Sequence, residues 1–256
     1  MKLNKFSHFL FYVLLNFLIS LLSIANAGPP LLTDDPETPG DGKWEINFLG
    51  LINKTATTQE YQIPYLDINY GIGERIQLKI ENGLIIHKEN NEVAHSGLGR
   101  AIMGIKWRFL DEEKNNISIS VYPQYEFHHF LTTKDTSLAE MEHRLILPVQ
   151  ILKHFGPINV GAEVGYELQI KDKEGPNERF FGLFTGYEIK KGIEVLAEIH
   201  GAHRTQKKEN ELISNIGITY DLNELTHLLF SVGHTLKTFQ EDESRFISTV
   251  GLQINL

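Results

Sequence analysis

The chain has 256 residues, no cysteine, 24 Lys+Arg and 33 Asp+Glu, which gives a formal net charge of −9. The lack of cysteine excludes a disulfide framework and a lipoprotein anchor. The acidic balance argues against nucleic-acid binding, because contact with phosphates needs a basic footprint.

The first 27 residues have the composition of a secretory signal peptide. Lys2 and Lys5 are followed by a nearly wholly apolar stretch, Phe9 to Ile24, and by Ala25-Asn26-Ala27, a small-x-small cleavage site. We predict cleavage after Ala27, which raises the net negative charge of the mature chain to −11. An uncleaved anchor helix is the alternative, since the apolar run approaches the roughly 18 residues of a spanning helix.

Residues 28–42 form a Pro-rich leader that precedes the first regular pattern. Its proline content argues against a strand, and it carries Asp34, Asp35, Glu37 and Asp41. We expect a periplasmic or lumenal leader, which could enter the basic side of a barrel as a plug.

From residue 43 onward the chain alternates between apolar and polar residues at period two, as half-buried strands do. The clearest segment runs from Ile158 to Ile170, with one apolar face and one face of polar residues and glycine. Further segments start near Trp44, Tyr61, Ile76, Ala101, Ile117, His143, Arg179, Ile193, Glu211, Thr226 and Arg245. These twelve segments predict an all-β fold, an antiparallel up-and-down barrel of about twelve strands over residues 43–256.

The connections distinguish a membrane barrel from a soluble β-sandwich or a lipocalin-like barrel. Short connections are predicted at Gly71–Glu74, Leu110–Asn116, His154–Pro157, Lys190–Gly192 and Asp221–Leu225. Longer polar ones are predicted at Asn53–Glu60, His87–Ser96, His128–Met141, Lys171–Glu178 and Thr205–Asn210. Such alternation is typical of outer-membrane barrels, with short turns and both termini on the periplasmic side.

Aromatic residues on the apolar face recur at one predicted level of the barrel. They are Trp44, Tyr70, Trp107, Phe109, Tyr187 and Tyr220. A belt of this kind places apolar rings in lipid and polar tips at the headgroups. Aromatic core residues of a soluble sheet would explain the shared face but not the shared level.

The C-terminal segment alternates up to the last residue, with Val250, Leu252, Ile254 and Leu256 on one face. It resembles the assembly signal of bacterial barrels, although that signal usually ends in an aromatic residue. This implies recognition by the barrel-assembly machinery.

The start of the mature chain carries a specific motif, which consists of Gly28-Pro29-Pro30-Leu31-Leu32-Thr33-Asp34-Asp35-Pro36-Glu37-Thr38-Pro39-Gly40, then Gly42, Trp44, Glu45, Asn47, Pro64, Asp67 and Tyr70-Gly71-Ile72-Gly73-Glu74-Arg75. These residues resemble a family of outer-membrane transporters named after the meta-pathway of phenol degradation. The specific motif covers about the first fifty mature residues. It implies an outer-membrane barrel and transport of small solutes, aromatic compounds among them.

The polar face must line the lumen, because Lys or Arg facing lipid at the midplane costs about 2 to 4 kcal/mol. Basic lumen candidates occur on the third, fourth and sixth strands: Lys79, Arg100, Lys106, Arg108 and Arg144. Acidic candidates occur on the seventh to ninth: Glu163, Glu167, Glu188, Glu194 and Glu198. Opposite charges would then face each other across a narrow channel and set its selectivity. Alternatively, they pair and fill a barrel that conducts nothing.

Catalysis and metal binding have weaker support. Ser118, Ser120 and His143 lie on neighbouring strands, as in an outer-membrane lipid hydrolase, but no nucleophile motif surrounds them. The histidines near loop ends are His87, His95, His128, His129, His200 and His203, and their spacing fits solvated rim residues better than a metal site.

We predict no enzyme, cofactor or metal, and a channel for small solutes in the bacterial outer membrane. The alternative is a non-conducting structural or adhesive barrel.

Overall fold

The computed structural model describes residues 28–90, 92–127, 143–170, 177–205, 209–237 and 245–256. These residues form twelve antiparallel strands, two of them in two segments. The strands are β1 (Trp44–Lys54), β2 (Thr58–Ile72), β3 (Ile76–Glu89), β4 (His95–Leu98 and Ala101–Leu110), β5 (Ser118–Val121 and Gln124–Phe127), β6 (Arg144–Phe155), β7 (Ile158–Gln169), β8 (Glu178–Lys190), β9 (Ile193–Arg204), β10 (Glu209–Asn223), β11 (Thr226–Lys237) and β12 (Phe246–Asn255). A short helix, α1 (Glu112–Asn115), connects β4 to β5.

The sheet closes into a barrel. Each strand pairs with its neighbours in sequence, and β12 pairs with β1 from Glu45↔Asn255 to Lys54↔Phe246. Trp44 and Leu256 exchange two backbone hydrogen bonds of 2.9 and 2.8 Å where the strands begin and end. Closure pairs the first strand with the last, so neither is left as a free edge, and it confirms the predicted twelve-strand barrel.

The two faces of the wall differ as the period-two pattern predicts. On β7, Val160 and Val164 are 45% and 57% exposed on the outer face, whereas Asn159 and Glu163 are 2% and 5% exposed on the inner face. A wall that is apolar outside and polar inside suits lipid around the barrel. Among the described residues, no helix is long and apolar enough to cross a bilayer.

The wall is irregular at several places on its β2–β6 side. The register shifts in β2 beside Pro64, and β4 is interrupted at Gly99–Arg100. β5 is interrupted at Tyr122–Pro123, where Pro123 has no N–H to donate. Tyr122 instead donates its backbone N–H to the carbonyl of Pro148 on β6, at 3.1 Å.

We call the end of the barrel that holds Trp44 and Leu256 the turn end, and the opposite end the loop end. The turn-end connections are short, at 73–75, 156–157, 191–192 and 224–225, with α1 in the remaining one. At the loop end, the predicted longer loop Asn53–Glu60 is wrong, because β1 and β2 extend further and leave only residues 55–57 between them. The Thr55 hydroxyl accepts the backbone N–H of Thr58 there at 3.0 Å. The predicted loop His128–Met141 lies outside the described residues.

Candidate functional site in the barrel interior

The Pro-rich leader, residues 28–42, lies inside the barrel near its turn end. It is deeply buried there, since no more than about 2% of Pro30, Thr33, Asp35 or Pro36 is exposed. The leader contacts side chains from β4, β7, β9 and β11, and its last residues join β1 at Trp44. It therefore crosses the space between opposite walls.

Buried carboxylates on the β7–β9 wall accept hydrogen bonds from the leader backbone. Glu198 accepts the N–H of Leu32 at 3.1 Å and the N–H of Thr33 at 2.5 Å. Glu163 accepts the N–H of Asp34 at 3.2 Å. Neutral amides orient both carboxylates, since Asn215 donates to Glu198 and Gln150 donates to Glu163, each at 3.2 Å.

Basic side chains of β4 hold the other side of the leader. The Lys106 ammonium donates to the carbonyl of Asp35 at 2.6 Å, to the carbonyl of Glu37 at 3.2 Å and to Asp34 Oδ1 at 3.1 Å. Arg108 pairs with the Glu37 carboxylate and donates to the carbonyl of Glu74 at 2.7 Å. The acidic and basic walls thus face each other with the leader between them.

The leader also fits an apolar patch and two glycine positions. Leu31 packs in a buried cluster with Leu152, Phe184 and Leu196. A Cβ at Gly182 would lie 1.9 Å from Thr33 Oγ1, and a Cβ at Gly71 would lie 1.8 Å from the carbonyl oxygen of Gly40. Only glycine leaves room for the leader at these two points.

The predicted basic residues that do not contact the leader pair with acids on the same strand or on a neighbouring one. Lys79 pairs with Glu81 and lies 3.7 Å from Asp67. Arg100 pairs with Glu126 on β5 at 2.6 Å.

Arg144 extends this second network. It lies 2.8 Å from Glu167 and 3.7 Å from Glu126. Sequence reasoning did not select Asp67, Glu81 or Glu126, although all three have the parity of the inner face. Asp67 and Glu126 become pairing partners through cross-strand register, whereas Glu81 lies two residues from Lys79 on the same strand, β3.

The remaining predicted acids lie on the same inner face near the turn end. Glu194 is 5% exposed and accepts a hydrogen bond from Asn159 at 2.6 Å. Glu188 is half-buried and lies opposite Glu194 in the β8–β9 register.

The inner face is less polar than the sequence pattern predicts. Leu49, Leu152, Phe184, Leu196 and Ile213 are all buried at inner-face positions. A Cβ at Gly161 would lie 2.1 Å from the Phe184 ring, so this glycine accommodates a ring lying against the wall.

The predicted belt aromatics lie toward the turn end of the outer face. Trp44, Trp107, Tyr187 and Tyr220 are 43%, 52%, 50% and 45% exposed. Trp44 packs on Tyr70 with ring centroids 4.6 Å apart, and Trp107 packs on Phe109 at 5.7 Å.

The structure does not bring together the suggested serine–histidine set. Ser118 donates to Glu37 at 3.2 Å, and Ser120 donates to Gln150 at 2.7 Å. The His143 ring instead lies 2.8 Å from the Tyr125 hydroxyl.

The loop-end histidines are dispersed in the described part of the chain. His87 and His95 are partners in the β3–β4 register, His200 stacks on Phe180, and His203 contacts Asn210 at 2.9 Å. No group of three candidate metal ligands forms among the described residues. His128 and His129 lie outside those residues.

Among the described residues, two cavities adjoin the leader. The larger, about 760 Å³, opens at the turn end between leader residues 37–39 and the side chains of Lys191, Asp221, Glu224 and His227. The smaller, about 30 Å³, lies between the leader and the β1–β4 wall. Both are lined by Glu37, Thr38 and Glu45, so they adjoin each other.

Solved structures with this architecture are outer-membrane barrels. The COG4313 outer membrane channel from Pseudomonas putida F1 has a TM-score of 0.72 at 12% identity, covering 88% of this chain and 100% of the other. The fold is that of an outer-membrane β-barrel. The NanC porin follows with a TM-score of 0.58 at 10% identity, covering 82% and 100% of the two chains. The KdgM porin has a TM-score of 0.53 at 11% identity, covering 82% and 98%. No protein-family profile and no curated protein sequence matches the chain.

Proposed function

We propose that this protein is an outer-membrane channel for passive passage of small solutes, narrowed at its turn end by the leader. The observation that carries the proposal is a closed barrel whose charged interior is crossed by a segment held there by hydrogen bonds, ion pairs and packing. Because the leader is not part of the barrel wall, a movement of the leader would widen the constriction and leave the wall intact. The similarity to a channel and two porins supports the same conclusion.

Single-channel conductance in planar bilayers tests this function. The mature chain, Gly28 to Leu256, is compared with a chain that lacks residues 28–42. We expect discrete openings whose conductance increases when the leader is removed. Silence from both chains, with heat-modifiable folding intact, would contradict the channel and favour a non-conducting structural or adhesive barrel.

The charged side chains of the inner face are proposed to line the passage and set its ion preference. They are Lys79, Arg100, Lys106, Arg108, Arg144, Glu163, Glu167, Glu188, Glu194 and Glu198. Neutralising Arg100 or Glu198 should alter the ratio of cation to anion permeability, because charge near a narrow path changes local ion concentration.

The route to the membrane is also a proposal. The signal peptide, residues 1–27, would direct export and be removed after Ala27, and the barrel-assembly machinery would recognise β12. In the folded barrel the turn end would face the periplasm, and the belt aromatics would lie at the inner headgroup level. Mass spectrometry of the protein purified from outer membranes should give a chain beginning at Gly28.

The solute class rests on the resemblance to transporters named after phenol degradation. We propose small solutes, aromatic compounds among them, and no catalytic step. Liposome swelling with phenol and benzoate, compared with a disaccharide of larger cross-section, tests size and class. Equal rates for all three would contradict an aromatic preference.

A further inference from the structure

The smaller cavity has an unusual excess of acidic side chains. Its carboxylates come from Asp34, Asp35, Glu37, Glu45 and Asp67, and its ammonium group comes from Lys106. Amide groups of Asn69, Gln77 and Gln253 complete the polar lining. A cavity of about 30 Å³ has room for one water-sized particle.

A second observation points to a ligand in this cavity. Asp35 is 2% exposed, lines the cavity, and its Oδ2 atom has no hydrogen-bond partner among the described residues. Its Oδ1 atom accepts the N–H of Glu37 at 2.6 Å. A buried carboxylate oxygen without a partner is costly, whereas a cation beside it compensates its charge.

The basic groups nearby are already engaged. Lys106 makes three contacts with the leader, and Lys79 lies between Asp67 and Glu81 on the wall. The lining therefore still has more acidic than basic groups after these pairs are formed. Because the cavity adjoins the larger turn-end cavity at Glu37 and Glu45, a small ion entering from that end could reach it.

We propose that this cavity, between the leader and the β1–β4 wall, binds one small monovalent cation and makes the passage beside the docked leader selective for cations. The ion is monovalent and held at the single unpartnered oxygen, Asp35 Oδ2, rather than by several carboxylates, since no three carboxylate or histidine groups among the described residues are arranged to hold a metal ion. The selectivity part rests on the proposed channel function, whereas the binding part does not.

Thallium(I), which substitutes for potassium, tests binding without any conduction. Crystals of the mature protein soaked in a thallium(I) salt should show an anomalous peak in this cavity, beside Asp35. The isosteric variants Asp35→Asn and Glu45→Gln should lose the peak, whereas Glu113→Gln on exposed α1 should retain it. Absence of the peak from the unsubstituted protein would overturn the proposal.

The reversal potential in a potassium chloride gradient tests selectivity. The mature chain should favour potassium over chloride, and the ratio should fall toward unity in Asp35→Asn and Glu45→Gln but not in Glu113→Gln. Anion preference, or equal ratios in all variants, would overturn the selectivity.

Silence of the full chain while the leaderless chain conducts would also overturn the selectivity, yet would leave the channel function standing. A thallium peak with both chains silent would instead support the site and contradict the channel.

Discussion

The ammonium group of Lys106 donates a 2.6 Å hydrogen bond to the backbone carbonyl of Asp35, and Lys106 is only 2% exposed. The two residues are 71 positions apart in sequence. Across the barrel, Glu198 accepts two leader N–H groups. The leader backbone thus offers its acceptors to the basic wall and its donors to the acidic wall, which fixes its direction through the barrel.

Substitution of Lys106 by methionine should loosen the leader. Loss of hydrogen bonds from a charged donor costs about 1.5–3 kcal/mol, so we expect amide hydrogen exchange at Thr33 to accelerate roughly ten- to hundredfold. Lys114→Met, on the exposed surface of α1, is the matched control. Unchanged exchange at Thr33 in Lys106→Met would contradict the anchoring role.

Gly182→Val should displace the leader by steric conflict. The added Cβ would lie 1.9 Å from Thr33 Oγ1, which has no hydrogen-bond partner of its own among the described residues. We expect single-channel conductance close to that of the leaderless chain. Adding Thr33→Gly to Gly182→Val should restore the lower conductance, because it removes the colliding side chain. Failure of this rescue would show that the valine acts on the wall rather than on the leader.

The outer face of β8 should show the depth dependence of a lipid-facing surface. Leu183 lies midway along β8 and is 54% exposed, whereas Ile189 lies near the turn end and is 57% exposed. Leu183→Arg should lower the free energy of unfolding in phospholipid vesicles by about 2–4 kcal/mol, and Ile189→Arg by about 0–1 kcal/mol. Denaturant titration measures both values. Equal costs for the two variants would argue against a bilayer around this surface.

An acid–histidine pair at the turn end should show pH dependence. Partial burial raises the pKa of Glu112, but hydrogen bonds from the His154 ring and backbone and from Lys153 outweigh it, so the pKa is lowered below 4.5. The lowered pKa means that the interaction is present above the ordinary pKa and is lost as the pH falls through the folded value.

The Glu112 carboxyl titration by NMR checks this. His154→Ala should raise its midpoint toward the ordinary pKa of a glutamate, because the largest of the lowering hydrogen bonds is lost. A midpoint unaffected by the substitution would contradict the assigned cause.

Several features of the barrel could be predicted from sequence because they depend on period two alone. The alternation from Ile158 to Ile170 fixes which side chains of β7 point inward, and the turn between Tyr70 and Arg75 fixes where the chain reverses. Strand extent was less predictable. β1 and β2 extend into the polar range Asn53–Glu60 and leave only residues 55–57 between them. Backbone pairing at a barrel rim does not require apolar side chains.

The interior was decided by tertiary structure. The sequence determined that Lys106, Glu163 and Glu198 share the inner face and that residues 28–42 cannot form a strand. It did not determine that the leader would lie between these residues, because their contacts join positions separated by 71 to 166 residues. Barrel closure sets which strands face each other, and the same closure brings Leu31 to Phe184 and Thr33 to Gly182. Local patterning could place each side chain on a face, but only the closed barrel could select its partner.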